Sequence, residues 1–277
     1  MLDRDALLID LKGAARIGSP EALDLALEGL AAWKAFTANA RLASEDVARV
    51  LVPLGEVLAA PTVPAAYLRS LAEHPLAGGR ALAAVALTLR YLRGEAAWSA
   101  LLTRLAGDRR AEVRFALATS LGQHGRDEHF PAAAALLKAW LDPARGPRVG
   151  QTALQAAAVL AQPYPRQVLS LLARLTPAQV VHPEVQRPLA EALKQVGAFG
   201  TDEDKTALAQ LLARWLQESG GEAARLVLQV LHAGWARQAP EQTLALLDAV
   251  EATGGASRLS RRTRAFIRRA AGMESER

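Results

Sequence analysis

The sequence predicts an all-α chain made of helix pairs packed side by side. Three observations predict it. Of the 277 residues, 51% are apolar but only 5% aromatic, and Ala and Leu supply much of the apolar share, as closely packed helices require and β-branched strands do not. Helix-opening punctuation recurs along the chain: Ser19-Pro20-Glu21, Ser44-Glu45-Asp46, Thr176-Pro177 and Thr201-Asp202-Glu203-Asp204 each set an N-cap hydroxyl before a proline or first-turn acids. The middle of the chain is also similar to itself when shifted by 34 residues.

Taken in order, helical spacing of apolar residues predicts a first helix over 3–16 and a second over 20–38, opened by Ser19-Pro20. A third, 45–60, follows Ser44, and 64–73 and 78–93 lie on either side of His74-Pro75. The segments 95–106, 110–122 and 128–141 come next, and 148–161 and 165–175 follow Asp142-Pro143. His182-Pro183 opens 184–198 and Thr201 opens 202–218; 221–238, 241–253 and 258–271 complete the set. No segment alternates with period two and β-branched enrichment, so no strand is predicted.

The self-similarity centres on DRRAEVRFALATSLGQHG, residues 108–125. A shift of 34 lays HPLAGGRALAAVALTL, from His74, on the same frame, with Arg80 on Arg114 and Leu87 on Leu121. A shift of 72 lays HPEVQRPLAEALKQVG, from His182, with Val185 on Val113 and Leu193 on Leu121. The stretch from Asp142 fits with a short insertion. A helix pair of 35–40 residues cannot cover its own apolar face, so such pairs stack and bury a continuous core. The pattern of Asp or His, a short turn, Val-Arg, then Ala and Leu at helical spacing resembles the second helix of HEAT repeats. That resemblance implies a right-handed α-solenoid of about seven stacked HEAT-like helix pairs. It also implies a cap role for Asp108 and a place on the repeat ridge for Arg114. The expected organisation is one repeat domain over 1–277, with divergent repeats and an N-terminal cap in 1–60, the best-defined repeats in 61–200, C-terminal repeats and a basic cap helix in 201–271, and a disordered tail in 272–277.

Composition excludes several classes. The chain has no Cys, so it carries no disulfide framework and no thiolate metal site. Its first residues carry Asp3, Asp5 and Asp10 where a signal peptide needs a basic flank, and no run of about eighteen apolar residues occurs. The expectation is a cytoplasmic protein that does not enter the membrane. No G-x-x-x-x-G-K, G-x-S-x-G or H-E-x-x-H is present, so no catalytic residue, cofactor or metal is expected. His124, Asp127 and His129 fit no metal-ligand spacing on a helix face.

The net charge of +5 is unevenly placed: −3 over 1–60, +7 over 61–177, −4 over 178–257 and +5 over 258–277. A localised surplus points to an anionic partner. At about 100° per residue, Arg258, Arg261, Arg262, Arg268 and Arg269 share one arc of roughly 120°, while Leu259, Phe266 and Ala270 gather a third of a turn away. This basic amphipathic helix reads as a dock for phosphates or acidic protein, and equally as the polar end cap of the stack. A second set, Arg104, Arg109, Arg110, Arg114, Arg145 and Arg148, falls at turns and helix starts. It would line one ridge, or pair with Asp108, Glu112 and Asp142 nearby. The five tryptophans sit in apolar-periodic helices, as core or as anchors in a groove.

These readings favour a non-enzymatic scaffold whose concave face or basic end receives a protein partner. The alternative is a nucleic-acid-binding protein, since size and repeats also resemble the HEAT-like bacterial DNA alkylation repair glycosylases, whose solenoid cradles duplex DNA on a basic concave face. Trp140-Leu141-Asp142 is the nearest approach to the aromatic and Asp constellation of that family, and here the Asp reads as a repeat cap.

Overall fold

In a computed structural model, described for residues 3–30, 33, 43–232, 235, 238–254 and 258–270, every regular element is helical. Side chains of Leu259 and Ala270 lie outside the described set, as do the ends of the helices expected over 20–38 and 221–238 and the tail expected over 272–277. The described residues form two compact units, Met1–Trp140 and Leu141–Arg277.

The first unit contains α1 (Arg4–Ile17), α2 (Pro20–Glu28) and α3 (Ser44–Asp46), which runs through a π-helical turn, Val47–Leu51, into α4 (Val52–Leu58). Pro53 lacks the N–H that would donate to Arg49, and the widened turn absorbs that loss. Then come α5 (Ala65–Ala72), α6 (Ala77–Leu92), α7 (Ser99–Ala106), α8 (Ala111–His124) and α9 (Phe130–Trp140). Helices α1, α4, α6 and α8 pack side by side in that order, and α6 is the centre of the row. Every residue from Ala81 to Arg90 is buried, and each large apolar side chain so removed from water contributes on the order of 1.5–3 kcal/mol. Close approach of α4 to α6 depends on Gly55, where a Cβ would stand 2.5 Å from that of Val85.

Helices α2, α5, α7 and α9 form the second layer, joined by side chains. Tyr67 Oη donates to Asp24 at 2.8 Å, Arg104 reaches Glu73 at 3.2 Å, and the Trp140 indole donates to Thr103 Oγ1 at 2.9 Å.

The second unit repeats this plan with α10 (Pro147–Leu160), α11 (Pro165–Leu172), α12 (Pro177–Val181), α13 (Pro183–Phe199), α14 (Asp202–Glu218), α15 (Ala224–Leu231), α16 (Pro240–Gly254) and α17 (Arg258–Ala270). One layer is the row α10, α13, α15, α17; the other is α11, α14, α16. Apolar spacing does not predict α12, a five-residue turn that starts at Pro177 and is held by a capping box of Thr176 and Gln179.

A shared turn precedes four helices of the core rows. His74 Nδ1 accepts from Leu76 N at 3.1 Å, Asp108 Oδ1 from Arg110 N at 2.8 Å, Asp142 Oδ1 from Ala144 N at 2.9 Å and His182 Nδ1 from Glu184 N at 3.3 Å. In the first two, an arginine six residues later donates to the turn carbonyl: Arg80 to His74 O and Arg114 to Asp108 O. Asp108 therefore closes the turn ahead of α8, while the residue at the helix boundary is Arg110. No helix among the described residues is long and apolar enough to cross a membrane.

Candidate anionic-partner interface

Helix α17 is fastened to the second unit on one side and open on the other. Among the described side chains, its buried residues are Ser260, Thr263 and Ile267, with Phe266 half-buried against His232, ring centroids 4.4 Å apart. Ser260 and Thr263 thus add buried polar side chains beside the apolar stripe read from the sequence. Arg264, at its flank, bridges Asp248 at 2.5 Å and Glu251 at 2.6 Å on α16. These hydrogen bonds, Asp248 first, hold its guanidinium pKa above the usual arginine value. Arg264 is thus the anchor cation of this helix.

The other arginines lie opposite. Arg258, Arg261, Arg262, Arg268 and Arg269 are all exposed, as is Ala265 in the middle of their arc. Arg258, Arg261, Arg262 and Arg268 have no ion-pair partner among the described residues. The arc read from the sequence is a solvent-facing surface. Guanidinium forks held there without a carboxylate can take phosphate or carboxylate oxygens two at a time.

The second arginine set divides between the units. In the first, Arg104 pairs with Glu73, Arg110 holds the buried Glu112 at 3.0 Å, and Arg114 serves the Asp108 carbonyl; Arg109 is exposed. In the second, Arg145 and Arg148 are exposed at the start of α10. Arg187 and Arg225, which the sequence reading does not single out, are also exposed near the starts of α13 and α15. They are isolated in sequence, so only helix stacking can reveal a common placement.

The aromatic and ionisable candidates have other duties. Trp98, Trp140, Trp215 and Trp235 are buried, leaving Trp33 as the half-exposed one. His124 Nε2 lies 2.9 Å from Glu56, and among the described residues no three His, Asp or Glu side chains converge as metal ligands. An open groove of about 390 Å³ runs between α11 and α14. There Arg166 is bound to Glu203 at 2.5 Å and Asp204 at 3.3 Å, and Arg214 donates to the Ala173 carbonyl. Its charges compensate one another. The sequence provides no further guide: no model of a known protein family matches the chain, and no curated protein matches it.

Proposed function

We propose that this chain is a non-enzymatic, cytoplasmic HEAT-like scaffold that holds an anionic partner against the arginine face of α17. In this reading the helix pairs continue through the chain as a right-handed α-solenoid of about seven units. The two-layer packing inside each unit and the recurring turn at His74, Asp108, Asp142 and His182 support it. One observation carries the functional part. A helix pinned by Arg264 to two carboxylates turns five other arginines to solvent, four of them without an ion-pair partner among the described residues. Side chains that merely solubilised an end cap would not need such uniform charge, because mixed signs serve solubility as well.

The test is retention on immobilised heparin, a polyanion without sequence. The wild-type protein is expected to bind at about 50 mM salt and elute with rising salt, as charge-driven contacts require. The variant with Arg261→Ala, Arg262→Ala and Arg268→Ala is expected to elute much earlier with unchanged thermal unfolding. Co-elution of the two proteins would refute the assignment of the site.

A further inference from the structure

We infer that the cationic surface extends beyond α17 along a whole edge of the second unit, and that this edge binds the phosphate backbone of duplex nucleic acid. The inference rests on α17 being an anion-binding helix, as proposed above, and adds both the extent of the surface and the partner.

Three contacts fix the direction of the helices in the row α10, α13, α15, α17. Gln162, just past the end of α10, meets Gln195 near the end of α13 at 3.5 Å. Gly197, also near the end of α13, lies against the Trp235 ring, past the end of α15. His232, which follows α15, stacks on Phe266 late in α17. The carboxyl ends of all four helices therefore share one edge. Their amino ends all point the other way, α15 with 8 residues ending short of α13 with 17.

Each of the four helices carries exposed arginine near its amino end. Arg148 is the second residue of α10, Arg187 the fifth of α13, Arg225 the second of α15, and Arg258, Arg261 and Arg262 lie in the first five residues of α17. All six are exposed, and none has an ion-pair partner among the described residues. Glu184 and Glu222 stand beside Arg187 and Arg225, whereas the first five residues of α17 contain no acid. Helices packed side by side are about 8–10 Å apart, so four of them spread the row over roughly 25–30 Å. That is a little less than one turn of duplex, about 34–36 Å.

The surroundings select among polyanions. A protein interface is built around buried aromatic or aliphatic anchors. The one exposed large hydrophobic residue described in this unit, Phe199, is at the carboxyl end of α13 and so on the opposite edge. Binding of single strands uses aromatic platforms for the bases, and no exposed aromatic accompanies these arginines among the described residues. A backbone of regularly spaced phosphates needs only cations, and guanidinium forks suit it.

The experiment is fluorescence anisotropy of the full chain with a labelled mixed-sequence duplex of about 24 base pairs, titrated at several salt concentrations. Six neutralised phosphates give a log–log salt slope near −5, so affinity should fall about a thousandfold between 50 and 200 mM salt. The variant carrying Arg148→Gln, Arg187→Gln and Arg225→Gln leaves α17 intact and should reduce the slope by two to three, roughly one for each phosphate no longer neutralised. The same three positions changed to Lys should retain the wild-type slope. Duplex binding by the Gln variant with wild-type slope, or loss of binding shared by the Lys variant, would overturn the inference. So would poly-L-glutamate competing as well as duplex at equal charge; heparin retention that still depends on α17 would then leave the scaffold reading standing. Failure of both duplex and heparin to bind would overturn both.

Discussion

Asp108→Ala should remove a largely buried ion pair of the first unit. Asp108 Oδ2 accepts from Arg80 Nε at 2.7 Å, and Oδ1 accepts from Arg80 Nη2 at 3.2 Å and from Arg110 N at 2.8 Å. The two side chains are only 10% and 12% exposed, so water cannot substitute for the lost carboxylate. Removing one partner of a buried pair costs about 3–5 kcal/mol. Arg80 keeps the carbonyls of His74 and Pro75, which places the pair's loss near the lower end, and the unsatisfied turn amide adds about 1 kcal/mol. The expected destabilisation is about 3–4 kcal/mol, measured by urea unfolding followed by circular dichroism. Asp108→Asn keeps an acceptor for Arg110 N and should cost about half as much. In a double-mutant cycle with Arg80→Met the coupling should be about 2 kcal/mol. Purely additive single effects, or a loss for Asp108→Ala below about 1 kcal/mol, would show that the turn does not depend on this pair.

Two further perturbations probe the same unit. Gly55→Ala puts a methyl group 2.5 Å from Val85 Cβ and 3.0 Å from the Leu82 carbonyl oxygen; α4 and α6 must separate, at a cost of about 1–3 kcal/mol, and a thermal midpoint equal to wild type would contradict that packing. Tyr67 has its phenol pKa raised above the ordinary 10.0, first by burial and then by its hydrogen bond to Asp24. The folded chain keeps this proton to higher pH than the unfolded chain does. Its contribution is therefore complete below about pH 10 and is lost as pH rises toward the folded value. Tyr67→Phe should flatten the alkaline fall in thermal midpoint between about pH 9 and 11.5, and an equally steep fall in the variant would show that Tyr67 is not its source.

The helices were legible in the sequence because their signals are local. Ser19 accepts from Ala22 N, and Thr201 accepts from Asp204 N while Asp204 returns to the Thr201 amide, as N-cap chemistry dictates. The segment of α17 from Arg258 to Arg269 was legible for the same reason: an arc at helical spacing needs no knowledge of what lies beyond the helix. Its buried side was less legible. Ser260 and Thr263 are fully buried where hydropathy would not place them, because the neighbouring helices α15 and α16 determine what is covered. The pairing of Arg110 with Glu112, two residues on, was legible, whereas the duties of Arg80 and Arg90 were not. Arg90, on a wholly buried stretch of α6, donates to the carbonyls of Ala60 and Val63, partners 30 and 27 residues away that no periodicity contains.

Arginines at corresponding places have opposite fates in the two units, and the turn before the next helix of the row decides which. After α6 that turn supplies Asp108, whose carboxylate takes Arg80 out of the solvent and into a buried pair. After α10 the chain offers Thr176 and His182 instead. Both spend their acceptors on backbone amides: Thr176 Oγ1 on Gln179 N, and His182 Nδ1 on Glu184 N. Neither brings a negative charge to Arg148, which remains exposed. One kind of repeat position therefore supplies a structural lock where a carboxylate follows and a free cation where a neutral cap follows. A helix row can acquire a binding edge in this way without altering its core, since only turn residues outside the packed faces have to change.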